Sequence, residues 1–147
     1  MERARRHGHA ISLIIMDLDH FKRINDSRGH GVGDDVLRAI GAALRGTARS
    51  GDVLGRYGGE EFALCLPETD PEAAVAFAER LRGEVAAIEV AAADEPVRLT
   101  SSFGVCGLEK VTDEQFQELL RKADVALYEA KHRGRDRVVF CGCEFGS

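Results

Sequence analysis

Two acidic clusters far apart in the chain have the residue types that could do chemistry: Asp17-Leu18-Asp19, and Glu60-Glu61 directly after Gly58-Gly59. Hard divalent cations such as Mg²⁺ take oxygen ligands, usually one or two carboxylates, and leave the remaining octahedral positions to water and substrate phosphate. Carboxylates from two segments, meeting beside glycines that let a phosphate or metal approach the backbone, would make a phosphoryl-transfer site. Taken alone, Gly-Gly followed by Glu-Glu is equally compatible with a solvated hairpin. The elements that carry the clusters decide between these readings.

The run Ile11-Ser12-Leu13-Ile14-Ile15-Met16 is apolar on both faces, which predicts a central strand covered on both sides and ending in Asp17-Leu18-Asp19. Acidic residues at the end of a buried strand are costly unless they meet a cation. Residues 53–57 and 62–66 read as paired strands, with Gly58-Gly59 as a two-residue turn requiring positive φ. If the first strand is central and the hairpin its neighbour, both clusters lie at one edge of the sheet. Strand side chains alternate between faces, so only one of Glu60 and Glu61 is expected to face a pocket squarely.

Between the clusters, residues 20–25 read as a helical turn and Gly29-His30-Gly31-Val32-Gly33 as a glycine-rich loop. A helix follows from about Asp34, with Val36, Leu37, Ile40 and Leu44 on one face. Asp70 as N-cap and Pro71 at the first helical position open the next helix, in which Ala74, Phe77, Ala78, Leu81, Val85 and Ile88 recur at helical spacing. A strand is expected over 97–106. Thr112 and Gln115 form a capping box for the last helix, Gly134 stops it, and 137–141 is a final strand. Residues 1–9 read as the end of a helix. The order predicts an α/β (α+β) fold, a mostly antiparallel sheet flanked by helices.

At 147 residues the chain suits one domain with one sizeable core. A net charge of −5 argues against a general nucleic-acid binder, which needs excess Lys and Arg to displace counterions. Any phosphate it handles is therefore expected on a small molecule. The run Leu13-Ile14-Ile15-Met16 is far too short to span a bilayer, and Met1-Glu2-Arg3-Ala4-Arg5-Arg6 lacks the apolar core of a signal peptide. No direct membrane insertion and a cytoplasmic location are expected. Cys65 and Cys106 read as small buried hydrophobes; Cys141 and Cys143, without a second pair, do not make a zinc site.

Met16-Asp17-Leu18-Asp19-His20-Phe21-Lys22-Arg23-Ile24-Asn25-Asp26, followed by Gly29-His30, Gly33-Asp34 and Arg56-Tyr57-Gly58-Gly59-Glu60-Glu61-Phe62, resembles the GGDEF domain. The late run Arg121-Lys122-Ala123-Asp124 through Tyr128, Ala130-Lys131 and Gly134-Arg135 is similar to the same family, so the resemblance covers nearly the whole chain. It implies a diguanylate cyclase, which joins two GTP molecules into cyclic di-GMP and releases pyrophosphate. The implied fold is the palm-like, ferredoxin-like architecture shared with adenylyl cyclases and polymerases. Asp17, the main-chain carbonyl of Leu18 and Glu60 would hold Mg²⁺, with Mn²⁺ as an alternative. Glu61 would assist, either at a second ion or in deprotonating the 3′-hydroxyl, and Gly58 and Gly59 would lie against the substrate.

The resemblance makes Asn25 and Asp34 guanine contacts. Guanine offers N1–H and an exocyclic amine to a carboxylate, whereas adenine would leave it unpaired. The plainer alternative for Asp34 is a helix N-cap. Lys22, Lys131 and Arg135, with main-chain amides of the Phe21-Lys22 turn, correspond to phosphate contacts; the last two are otherwise cations beside a helix C-terminus. For Asp19 the alternative to metal contact is bonding neighbouring amides to orient its turn. Arg49-Ser50-Gly51-Asp52 matches the Arg-x-x-Asp product-inhibition motif, with Arg80 as a further inhibitory arginine; a surface ion pair is the simpler reading.

Family members begin with a helix of which only the tail is present here, and Glu60 stands where the family name has Asp. The domain is expected over 1–141 with a tail over 142–147, from a longer bacterial signalling protein with a regulatory sensor domain. Implied partners are GTP, cyclic di-GMP and a second copy facing the first as a homodimer. The rival expectations are a catalytically silent receptor for GTP or cyclic di-GMP, and a purely structural dimerisation module.

Overall fold

In the computed structural model, which describes residues 10–92, 95–108 and 113–141, strand β1 (Ile11–Leu18) is buried along its whole length. Its two faces feed two layers, as a strand apolar on both sides requires. Ile14, Met16 and Leu18 pack against α1 (Phe21–Arg28), α2 (His30–Thr47) and α3 (Pro71–Ala87) through Phe21, Val36, Ile40, Phe77 and Leu81. Ile11, Leu13 and Ile15 face Leu119, Ala123 and Leu127 of α4 (Asp113–His132). Buried Leu, Ile or Phe side chains are worth about 1.5–3 kcal/mol each, so these layers dominate the stability of the sheet.

The remaining strands are β2 (Val53–Arg56), β3 (Glu61–Pro67), β4 (Ser101–Leu108) and β5 (Arg137–Phe140). The sheet order is β2-β3-β1-β4-β5, antiparallel throughout except for the parallel β4/β5 pair. The expected central strand and its neighbouring hairpin are therefore both present. Close packing of α4 on β4 depends on Gly104, where a Cβ would collide with the Ala123 carbonyl and the Leu127 amide. Asp70 accepts from the Ala73 N–H at 2.8 Å and caps α3 with Pro71 in its first turn. Gly134, at φ 123, follows the end of α4, and the Arg135 N–H returns to the Ala130 carbonyl at 2.9 Å.

Three local expectations are corrected. Gly58 and Gly59 are not a two-residue turn of positive φ; among the described residues only Gly29, Gly51 and Gly134 are glycines of that kind. The last β2–β3 pair is Arg56 with Phe62, and the loop closes through the Tyr57 N–H on the Glu61 carbonyl at 2.8 Å, a longer connection without left-handed glycines. The glycine-rich stretch is not a loop: α2 starts at His30, because Gly29 at φ 92 makes the break and Gly33 packs on α1. A Cβ on Gly33 would collide with Asn25 Oδ1, so tertiary contact overrides the helix-breaking tendency of glycine, about 1 kcal/mol. The strand expected from 97 starts at Ser101, and Val97 instead forms an isolated bridge with Val90. Residues 1–9, Thr112 of the capping box, Cys143 and the tail lie outside the described residues. Among the described residues no helix is long and apolar enough to cross a membrane.

Candidate active site

The register of β1 and β3 sets Asp17 opposite Glu61, and the Leu18 N–H donates to the Glu60 carbonyl at 3.2 Å. Asp17, Gly59, Glu60 and Glu61 line one open pocket of about 240 Å³ at the sheet edge. Both glutamates line it. β3 begins at Glu61, so Glu60 sits in the loop and is released from strand alternation. Gly58 lies under the second carboxylate, where a Cβ would come within 2.8 Å of Glu61 Oε1.

Charge is concentrated in this pocket. Burial raises the Glu60 carboxyl above its usual pKa, Asp17 raises it further, and Lys131 opposes the shift. Glu61 is raised by burial and Asp17 in the same way, again with Lys131 opposing. Lys131, near the C-terminal end of α4, donates directly to Asp17 Oδ2. Like-charged carboxyls share a partly dehydrated space with one ammonium, and further positive charge there would be favourable. Among the described residues no three acidic, histidine or cysteine side chains converge tightly enough to cage an ion alone. An open set of carboxylates fits Mg²⁺, which keeps positions for water and substrate oxygens.

Asp19 has a different environment. It is buried, outside the lining of that pocket, and accepts from Thr100 Oγ1 at 2.6 Å, Ser102 Oγ at 2.7 Å and the Asp136 N–H at 3.0 Å. The alternative reading of Asp19 as a residue that orients its surroundings is the one this geometry supports. Thr100, Ser102 and Asp136 were not singled out from the sequence, because no local spacing connects them to Asp19.

Phe21 opens α1 and is buried in the core, and Lys22 beside it is exposed on an open cavity of about 560 Å³ shared with His20, Arg23 and Asp26. Asn25, one turn on, packs its side-chain oxygen against Gly33. Asp34 lines an open cavity of about 590 Å³ with Leu37, Arg38, Arg45, Arg56 and Phe62. It does not cap α2, whose N-cap is Gly29, so the N-cap alternative is removed. Arg135 follows the α4 terminus in a left-handed conformation, φ 65.

On the other side of the hairpin, Arg49 and Arg80 line one cavity of about 320 Å³ with Thr69, Ala73, Ala76 and Phe77. Arg49 donates to Thr69 Oγ1 at 2.5 Å, and the Arg80 guanidinium lies 5.2 Å from the Phe77 ring centroid. Asp52 is not part of that lining; it accepts from the Arg49 main-chain N–H at 2.8 Å and bends the loop. A further contact absent from the sequence reading is Tyr57 OH on Asp124 Oδ2 at 3.2 Å, which ties the hairpin loop to α4. The Asp124 charge raises the Tyr57 pKa.

A family model described as "Diguanylate cyclase, GGDEF domain" matches residues 1–137. The chain belongs to the GGDEF family. It is 45% identical over 139 residues to diguanylate cyclase DgcP of Pseudomonas aeruginosa, a match covering 93% of this chain and 20% of that protein. Diguanylate cyclase SiaD of P. aeruginosa, crystallised with its activator SiaC, superposes with a TM-score of 0.87 at 40% identity over 95% of this chain and 53% of that one. The GGDEF domain of Caulobacter crescentus DgcB in complex with c-di-GMP gives 0.87 at 32% identity, covering 95% and 82%. This GGDEF chain spans 20% to 39% of the length of the curated relatives it matches.

Proposed function

We propose that this GGDEF domain is a diguanylate cyclase, condensing two GTP molecules into cyclic di-GMP with release of pyrophosphate. The observation that carries the reading is the meeting of Asp17, Glu60 and Glu61 at one pocket on the sheet edge, with Lys131 of a third distant segment donating to Asp17. Asp17, Glu60 and the Leu18 carbonyl are the groups to hold a divalent ion. Bound there, Mg²⁺ or Mn²⁺ would supply a Lewis acid for charge developing on the triphosphate. Lys131 and Arg135 meet the outer phosphates as fixed cations, and Lys22 adds charge from the first turn of α1. Asn25 and Asp34 read the guanine edge.

The bond that forms joins the 3′-oxygen of one GTP to the α-phosphorus of another, and the bond that breaks is the α–β phosphoanhydride. The 3′-hydroxyl proton must leave as the oxygen attacks. Glu61, held above its usual pKa by burial and Asp17, is suited to receive it. One pocket supplies one nucleotide, so two domains must face each other, a cytoplasmic homodimer in which turnover rises more than linearly with protein concentration. The cavity between Arg49 and Arg80 suits cyclic di-GMP as an inhibitor, since guanidiniums fork onto phosphate or guanine.

Incubation with GTP and Mg²⁺, analysed for cyclic di-GMP and pyrophosphate, tests the proposal. Wild type makes both and Asp17→Asn neither. An inactive wild type that still binds GTP by calorimetry would mark a receptor instead, and equal turnover by wild type and Asp17→Asn would refute the active-site assignment.

A further inference from the structure

Asp17 and Asp19 are two residues apart, yet the fold gives them different partners. Asp17 meets the Lys131 ammonium, whereas Asp19 meets two hydroxyls and one main-chain amide. The Asp19 side chain is enclosed by its neighbours, and Ser102 has no exposed surface at all. An apolar residue at 19 would take the acceptor from the fully buried Ser102 hydroxyl, which is a penalty, and would release the Thr100 hydroxyl and the Asp136 amide from part-buried contacts.

The amide it holds belongs to an unusual turn. Arg135 and Asp136 both adopt left-handed backbone, φ 65 and 47, which non-glycine residues avoid and keep only where the surroundings impose it. One restraint comes from α4, through the Arg135 N–H on Ala130 O at 2.9 Å. A second comes from across the sheet edge, through the Asp136 N–H on Asp19 Oδ2 at 3.0 Å, while Arg82 donates to Asp136 Oδ1 and Arg137 Nε to the Arg135 carbonyl, each at 2.9 Å. Asp19 in turn is fixed to β4 by Ser102 and to the segment before it by Thr100. Among these contacts, the one that ties the turn carrying Arg135 to the strand end presenting Asp17 is the Asp19 carboxylate.

We propose that Asp19 is a positioning residue for phosphate recognition: through the Asp136 amide it fixes the left-handed turn that aims Arg135 at the triphosphate. The proposal rests on the phosphate role given to Arg135 above. It also makes the cation side and the carboxylate side of the pocket a single mechanical unit, joined at the end of β1.

The test is a double-mutant cycle of Asp19→Asn and Arg135→Ala, read by calorimetry with inorganic tripolyphosphate and Mg²⁺. Asp19→Asn should weaken tripolyphosphate binding about tenfold in wild type and less than about twofold in the Arg135→Ala background. Binding of Mn²⁺ alone, followed by electron paramagnetic resonance, should stay within about twofold, because Asp19 is not a ligand. Hydrogen exchange by NMR should show lost protection of the Asp136 amide in Asp19→Asn, with Ile14 and Ile15 of β1 still protected. Thr100→Val, which removes one tether and spares the carboxylate, should move the binding and exchange readings the same way by a smaller factor, and keeps the test available if Asp19→Asn folds poorly. Additive losses in the cycle, or a large loss of Mn²⁺ affinity, overturn the proposal. Wild-type protection of Asp136 in Asp19→Asn, with Arg135→Ala impaired, overturns it alone; an Arg135→Ala variant that binds tripolyphosphate normally overturns the phosphate role of Arg135 and this proposal with it.

Discussion

Lys131→Ala isolates the electrostatics of the pocket. The Asp17 side chain is 7% exposed and that of Lys131 31%, so the pair lies between two limits. Removing one partner of a fully buried pair costs about 3–5 kcal/mol, whereas an exposed pair is worth about 0–1 kcal/mol. For this half-enclosed geometry a loss of about 2 kcal/mol is expected, which for a chain of this size lowers the unfolding midpoint by roughly 6–8 °C. The loss should depend on pH. Lys131 lowers the pKa values of Glu60 and Glu61, which burial and Asp17 raise, so its removal raises both further. A carboxyl with a folded pKa above its unfolded one gains a proton on folding. Its destabilisation is present at neutral pH and is relieved as pH falls through the folded value toward the ordinary glutamate value of 4.5. Thermal unfolding of metal-free protein by circular dichroism should therefore show a gap between wild type and Lys131→Ala that narrows as pH falls from neutral toward 4.5. Asp17→Asn added to Lys131→Ala should recover at least half of the loss. Equal midpoints at neutral pH, a gap indifferent to pH, or strictly additive losses would refute the reasoning.

Gly33→Ala pushes a methyl into Asn25 Oδ1 and should weaken GTP binding at least about tenfold by calorimetry while the far-ultraviolet spectrum stays native. Asp70→Ala removes the α3 cap and should cost about 1 kcal/mol in denaturant unfolding, with GTP binding unchanged. Arg80→Ala opens one wall of the Arg49 cavity and should reduce the thermal stabilisation given by cyclic di-GMP, leaving initial rates at low product untouched.

Much of the frame was legible because its signals are local. The two-sided apolar run of β1 could only be a covered central strand, and Asp70-Pro71 could open a helix with no help from elsewhere in the chain. Element boundaries failed where a neighbour decided them. Gly33 looks like a loop residue until α1 is packed against α2, and the loop at Gly58-Gly59 takes its form from the pairing of Tyr57 with Glu61.

The sequence by itself determined which residues could carry charge into a site and that two acidic clusters would approach one sheet edge, because strand and helix periodicity follow from the order of apolar and polar side chains. Only the tertiary structure decided their partners. Lys131 reaches Asp17 from 114 residues away, and Ser102 reaches Asp19 from 83. Two aspartates alike in type and almost adjacent in the chain acquired different environments, since a carboxylate takes its electrostatic character from whatever donors the packing of distant elements brings within bonding distance.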